Sequence, residues 1–174
     1  MDQLTSLPDS ALLDRLQRGA FSYIAEYTDD ETGLVADTSR AGSPCSIAVV
    51  GFALSCYPVA VKNGWIPRAA AATHTLKTLR SFWNSPQSDQ PDATGYKGFY
   101  YHFLHMKTRR RVWQCELSLV DTTLLLAGVL MAGCYFDGGG DEAEIRALAD
   151  ALCRRVDWQW DGRGACDRTP ARRG

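Results

Sequence analysis

The chain has 174 residues, of which 45% are hydrophobic, and this composition is typical of one globular domain rather than of a disordered segment. Its 19 Lys and Arg residues nearly balance its 20 Asp and Glu residues. A chain without excess positive charge has no broad attraction for polyanions, so we expect neither nucleic-acid binding nor attachment to anionic lipid.

Five helices are predicted along the chain, and they alternate between two kinds. The segments from Ser10 to Tyr27, from Pro67 to Trp83 and from Asp141 to Val156 are amphipathic, with an apolar stripe and a charged side. The segments from Cys45 to Lys62 and from Leu117 to Phe136 are apolar all round, which is typical of buried helices. Buried and amphipathic helices therefore follow each other in turn.

The connections between these helices are alternately long and short. Antiparallel neighbours joined in this way place every long connection at the same end, as in a toroid of helical hairpins with the apolar helices inside. In the longest connection, FYYHFLH and RRVWQC flank MKTR and predict a small β-hairpin on the long-loop face. The predicted class is all-α, a partial ring of helical hairpins, with functional residues on that face.

Two carboxylates stand at the start of the second apolar helix, on the long-loop side. Asp121 lies three residues after Ser118, the spacing of a capping box, so a structural role is one open interpretation. Glu116 has no obvious capping register. Glycoside hydrolysis needs two carboxyl groups about 5 to 9.5 Å apart. Glu116 and Asp121 are therefore candidate catalytic residues, although their spacing in sequence does not fix the distance.

Aromatic residues of the longest connection are candidates for stacking on sugar rings, and they include Tyr96, Phe99, Tyr100, Tyr101 and Trp113. The alternative, that these side chains pack on the inner helices, stays open, because alternate residues of a strand face opposite sides. His102 and His105 would likewise face opposite sides of a strand, which argues against a shared metal ion. Of these two, His102 is the candidate for a sugar contact.

The cysteines and the first residues suggest the compartment. The six cysteines form no C-x-x-C pair and no zinc-type spacing to histidine, so we expect reduced thiols, no metal ion and no other cofactor. The first ten residues, MDQLTSLPDS, carry acid and lack the apolar core of a secretory signal, so we expect a cytoplasmic protein.

The uncharged stretch 41–61 raises the alternative of a membrane-spanning helix, which needs about 20 predominantly apolar residues. Pro44, Pro58 and several serines interrupt this stretch. We therefore favour a buried helix and expect no membrane insertion.

Several segments between residues 10 and 160 follow one another in order: RGAFSYI with DDETGLVADTS, SIAVVGFALSCYPVAVKNGWI, TLRSFWNSPQ, GYKGFYYHFLHMKTRRRVWQCELSLVDTTLLLAG and AEIRALADALCRRVDWQW. Together they resemble the glycoamylase-like family, which includes endo-β-1,2-glucanases and a related domain of cyclic β-1,2-glucan synthases. The resemblance implies a six-hairpin (α/α) toroid and an oligosaccharide or β-glucan substrate, with β-1,2-glucan favoured.

The resemblance also assigns residues to a substrate cleft. Glu116 and Asp121 in CELSLVD fall in an acidic cleft, and the matched positions near it are Asp37, Lys97, His102 and Trp113. The sequence departs from the family at His105, where an acid is expected, and at Pro58, which interrupts a helix. These departures put a sugar contact and the local helix geometry in question.

The relatives implied by this resemblance continue far beyond VDWQW. Residues 161–174 contain four Arg, three Gly and no Leu, Ile, Val or aromatic residue, which predicts a non-native or disordered tail. Residues 1–160 would then be the N-terminal part of a toroid that cannot close, with apolar faces of its inner helices left exposed. We expect weak or no catalysis from this chain alone, and self-association. The alternatives are a non-catalytic carbohydrate-binding module and a decayed gene fragment.

Overall fold

A computed structural model describes residues 8–160 of the chain, so the predicted tail at 161–174 lies outside the described residues. Five helices form the body of the structure: α1 (Asp9–Tyr27), α2 (Ile47–Lys62), α3 (Arg68–Trp83), α4 (Leu119–Tyr135) and α5 (Asp141–Arg155). Five short strands accompany them: β1 (Cys45–Ser46), β2 (Gly95–Tyr96), β3 (Phe99–Tyr101), β4 (Phe103–Leu104) and β5 (Leu117–Ser118). The predicted class, all-α with helical hairpins and small strands, is confirmed.

The two apolar helices, α2 and α4, pack closely along each other. Gly51 of α2 and Gly128 of α4 meet where the helices cross, and a Cβ atom on either residue would collide with backbone of the other helix. Amphipathic α3 and α5 form a second layer, in which α3 packs on α5 and α5 packs on α4. The apolar helices α2 and α4 therefore form one layer, and the amphipathic helices α3 and α5 form the other.

Each apolar helix buries only one of its faces. Leu125 and Val129 of α4 are about fully buried, whereas Val120 is 71% exposed and Leu130 is 52% exposed. On α2, Phe52 is 54% exposed. The expected exposure of apolar faces on the inner helices is thus found.

Pro58 does not end helix α2, which continues to Lys62. The predicted end of that helix at Lys62 is therefore confirmed, with Pro58 inside the helix.

The strands form two small antiparallel sheets, one of β1 with β4 and one in the order β2-β3-β5. Tyr100 lies opposite Ser118 in the second sheet. Strands β1 and β5 run directly into α2 and α4, so both sheets lie at the amino-terminal ends of the inner helices. This is the face at which the long connections were expected.

The predicted hairpin between FYYHFLH and RRVWQC forms only around its turn. The two segments share one isolated bridge, between Leu104 and Arg111, while β3 and β4 pair with other strands. The second segment cannot continue as a strand because Trp113 and Gln114 adopt left-handed backbone conformations. Among residues 8–160, no helix combines the length and apolar character that a membrane span requires.

Candidate active site

Three polar side chains meet at the amino-terminal end of helix α4. His102 lies between β3 and β4, Glu116 precedes β5, and Asp121 lies in the first turn of α4. The Nδ1 atom of His102 is 2.8 Å from Oε1 of Glu116 and 3.5 Å from Oδ2 of Asp121. We call His102, Glu116 and Asp121 the acidic cluster. The two candidate catalytic carboxylates are therefore neighbours, and a histidine links them.

The backbone fixes the position of each member. The N–H of His102 donates to the carbonyl of Glu116 across 3.0 Å, which ties the two loops together. Ser118 caps α4, because its hydroxyl accepts from the N–H of Asp121 at 3.1 Å and donates to the Asp121 carboxylate at 2.7 Å. Ser118 supplies the cap, so the Asp121 carboxylate is not itself the capping group. The predicted capping motif and a chemical role for Asp121 are compatible.

Glu116 is held as a carboxylate. Partial burial raises its pKa, but hydrogen bonds from its own N–H and from His102, with the nearby charge of Arg111, lower the pKa below its usual value. An ionised carboxylate only accepts hydrogen bonds, so Nδ1 of His102 carries the proton in this pair. The Glu116 side chain is 58% exposed and so is open to a ligand.

A row of aromatic rings leads away from the acidic cluster. The ring of His102 stacks on Phe103 with centroids 3.9 Å apart, and Phe103 meets the edge of Trp113 at 5.4 Å. The Trp113 side chain borders a cavity of about 270 Å³. The predicted positions His102 and Trp113 thus lie on one continuous surface with Glu116.

Asp37 lies at the start of a loop that forms another side of this cavity. Its N–H donates to the carbonyl of Pro44 at 2.8 Å, and Pro44 lines the cavity. Within residues 8–160, no hydrogen bond or ion pair links Asp37 to the acidic cluster. Asp37 is near the predicted site, but it does not belong to the group of contacting carboxylates.

Tyr96 and Lys97 are further predicted substrate contacts. The ammonium group of Lys97 pairs with Asp157 at 3.1 Å and lies 5.6 Å from the centre of the Trp160 ring. Tyr96 meets the edge of the same ring at 5.7 Å. Both residues therefore contact the segment that follows α5.

Tyr100 is a core residue, which corrects its prediction as a sugar contact. Its side chain is 1% exposed, and its ring meets Phe82 edge to face at 5.0 Å. Its hydroxyl group approaches the carbonyl of Phe82 at 3.4 Å, and burial raises its pKa to about 12. A side chain enclosed in this way does not reach a ligand.

The acidic cluster is also the group that could hold a metal ion in residues 8–160. One ligand atom from each of its three residues lies within 4.8 Å of the others, and imidazole with carboxylates suits zinc. Metal binding through Nδ1 would require the proton on that atom of His102 to leave, whereas that proton stabilises Glu116 here. The arrangement of hydrogen bonds therefore fits a proton-linked pair better than a ligand set.

Several solved structures share this arrangement of helices. The chain has a TM-score of 0.78 and 25% identity to a presumed glucoamylase from Bacteroides uniformis, covering 91% of this chain and 39% of that one. A β-1,2-glucanase from Parabacteroides distasonis gives a TM-score of 0.78 and 24% identity, and the match covers 88% of this chain and 22% of the glucanase. This chain has the fold of these proteins.

A third structure extends the likeness. The endo-β-1,2-glucanase from Chitinophaga pinensis, in complex with sophorotriose and glucose, has a TM-score of 0.77 and 17% identity, covering 91% of this chain and 39% of that one. This chain spans only about 22 to 39% of the length of these three proteins. Comparison with protein-family models gives no match, and neither does comparison with curated proteins. The resemblance seen in the sequence is supported at the level of the fold.

Proposed function

We propose that the chain forms part of a glycoside hydrolase-like domain that acts on β-linked glucan, with β-1,2-glucan as the favoured substrate. The observation that carries this proposal is the acidic cluster, in which Glu116 and Asp121 share His102 on an accessible surface. The linkage is suggested by the β-1,2-glucanases that have the same fold. The six-hairpin ring belongs to this proposal as the architecture of the complete domain.

The environment of each carboxylate suggests its role. Hydrolysis needs one protonated carboxyl group and one ionised carboxylate that acts as base or nucleophile. The lowered pKa and exposure of Glu116 suit the ionised role, with His102 orienting it through the Nδ1–H bond. Asp121, whose side chain is 17% exposed, would then be the proton donor or a ligand for a sugar hydroxyl.

The separation of the pair limits what it can do alone. The closest oxygen atoms of Glu116 and Asp121 lie within 4.8 Å, whereas carboxyl groups of inverting enzymes are about 6.5 to 9.5 Å apart. An inverting reaction would therefore need a carboxyl group other than those of this pair. Because the chain spans about 39% of two similar structures, we expect weak or no hydrolysis by this chain alone.

A hybrid enzyme tests the proposal. Residues 8–160 replace the matching part of the Chitinophaga pinensis enzyme, and release of reducing sugar from β-1,2-glucan is measured. We expect an active hybrid in which Glu116→Gln lowers kcat/KM by about 10² to 10⁴. The matched control is Glu31→Gln, which changes a 78% exposed carboxylate on another loop and should leave kcat/KM unchanged. A folded, active hybrid that is indifferent to Glu116→Gln removes Glu116 from the reaction.

A second candidate function is carbohydrate binding without catalysis. It is favoured by the short distance between the two carboxylates and by Trp113, which is 73% exposed. Saturable binding of sophorotriose together with a folded but inactive hybrid would support this function over hydrolysis. The remaining alternative, a decayed fragment, predicts neither sugar binding nor a cooperative thermal transition.

A further inference from the structure

Trp113 is presented to solvent from a strained backbone. Trp113 has a φ of 56° and Gln114 a φ of 54°, so two consecutive residues other than glycine are left-handed. Bulky residues rarely adopt this conformation unless their surroundings impose it. Burial of the indole does not impose it, because the side chain is 73% exposed. Other contacts must therefore hold this turn.

Arg111 makes those contacts. Its Nε donates to the carbonyl of Cys115 and its Nη2 to the carbonyl of Gln114, both at 2.6 Å. The guanidinium group lies 4.3 Å from the centre of the buried Tyr101 ring, which fixes its orientation. The two hydrogen bonds span the left-handed turn and close it. Arg111 thus holds Trp113 outward before any ligand arrives.

The loop is anchored at its base as well. The thiol of Cys115 lies 3.2 Å from the N–H of Phe103 and 3.4 Å from its carbonyl. The N–H of Val112 donates to the same carbonyl at 3.2 Å. Because Phe103 stacks on His102, the turn that carries Trp113 is fixed relative to the acidic cluster.

The cavity beside Trp113 has a neutral lining. Pro44, Met106 and Val112 supply apolar surface, and His105 supplies a polar group. Nδ1 of His105 accepts hydrogen bonds from the N–H groups of Lys107 and Thr108, each at 3.2 Å. The neutral imidazole therefore keeps its proton on Nε2 and acts as a donor. No Asp, Glu, Lys or Arg lines the cavity among residues 8–160, which favours an uncharged ligand.

We propose that Trp113 and this cavity form a subsite for one neutral sugar residue, and that Arg111 is the positioning residue that presets it. A pyranose ring offers an apolar face to the indole and hydroxyl groups to the imidazole. A volume of about 270 Å³ lies just below the range of about 300 to 1,000 Å³ for pockets of larger ligands, so one sugar residue fits.

The subsite adjoins the acidic cluster through Phe103, whose ring touches both His102 and Trp113. A glucan that placed one residue on Trp113 would extend toward Glu116. This inference rests on the proposed function for the identity of the sugar. It names a second binding position and a residue that acts through Trp113.

The first experiment follows the indole N–H signals of the chain by nuclear magnetic resonance. The five tryptophans give five signals, and Trp113→Phe identifies the signal of Trp113. We expect titration with sophorotriose to shift this signal in a saturable way. Trp113→Ala should weaken binding about tenfold or more, as truncation of a central aromatic contact does.

The second experiment separates positioning from charge. Arg111→Lys keeps the charge but cannot bond both carbonyls, so we expect it to move the Trp113 signal without sugar and to weaken binding about fivefold. The matched control is Arg110→Lys in the same turn, where the side chain is 57% exposed and pairs with Asp92. Arg110→Lys should change neither quantity.

The hybrid enzyme distinguishes failure of the subsite from failure of the hydrolase proposal. If the hybrid is active, Trp113→Ala should raise KM about tenfold with little change in kcat, because it removes uniform binding. Sugar binding at Trp113 with a folded but inactive hybrid keeps the subsite and overturns the hydrolase. The subsite is overturned if sophorotriose does not shift the Trp113 signal and the hybrid is either inactive or keeps its KM in Trp113→Ala. The positioning role of Arg111 is overturned if Arg111→Lys leaves the Trp113 signal where it is in the parent chain without sugar.

Discussion

Substituting Gly128 with alanine should separate the two apolar helices. A Cβ atom at this position would collide with the carbonyl oxygen of Gly51 and would lie 2.7 Å from its C and Cα atoms, whereas ordinary van der Waals contact begins near 3.4 Å. Since all three neighbours are backbone atoms, no side chain can move aside, and the helices must part by at least about 0.7 Å in a close-packed interior.

The magnitude follows from two opposing effects. Alanine favours the helical conformation over glycine by about 0.8 to 1 kcal/mol. Overpacking in a core costs about 1 to 3 kcal/mol, and backbone contacts put this site at the upper end of that range. We therefore expect Gly128→Ala to lower the free energy of unfolding by about 2 kcal/mol.

Gly19→Ala is the matched control, because a Cβ there would meet nothing within 4 Å in helix α1. This substitution should raise the free energy of unfolding by up to about 1 kcal/mol. Urea unfolding followed by circular dichroism measures both variants. If Gly128→Ala is as stable as the parent chain, the close crossing of α2 and α4 is refuted.

Other expected outcomes follow from the contacts described. Arg68 lowers the pKa of Glu142 to about 2, so this pair stabilises the fold above the ordinary pKa of 4.5, and the stabilisation is lost as pH falls toward 2. Glu142→Gln should remove this pH-dependent loss of unfolding free energy, which amounts to about 1 kcal/mol after allowance for solvent screening. Urea unfolding between pH 2 and 7 measures the difference. In the same assay, Tyr100→Ala should lower the free energy of unfolding by about 3 to 5 kcal/mol, because it truncates a core side chain. Trp113→Ala should lower it by less than about 0.5 kcal/mol, because Trp113 is exposed. Val120→Glu should weaken self-association through the exposed apolar face of α4. Sedimentation velocity measures the oligomer, and an unchanged oligomer would rule out that face as the contact.

The amphipathic helices were predictable from their periodicity, and the two apolar helices from long apolar runs that end at turn residues. Each observed helix begins within two residues of its predicted start, and the two apolar helices start late because Cys45–Ser46 and Leu117–Ser118 form strands first. The hairpin was less predictable. The strand propensity of FYY and RRV predicts two paired strands. The pairing that forms instead joins residues far apart in sequence, such as Tyr101 and Leu117.

The site was predictable in its carboxylates and only in part around them. Resemblance brought Glu116 and Asp121 to one place, but it did not reveal that His102 links them. Tyr100 was misjudged because all three residues of β3 are buried, so its strand lacks the alternation that marks an open face. Arg111 could not be singled out, since sequence alone does not reveal which arginine folds back over an aromatic ring.

The continuity of β1 with α2 and of β5 with α4 links the crossing of the helices to the chemistry at their ends. No linker separates Ser118, which anchors Asp121, from the helix that carries Gly128. A change in the crossing angle would therefore alter the gap between the Glu116 and Asp121 carboxylates. Tuning that gap in an engineered enzyme would call for repacking the helix pair, even where every residue at the mouth is left as it is.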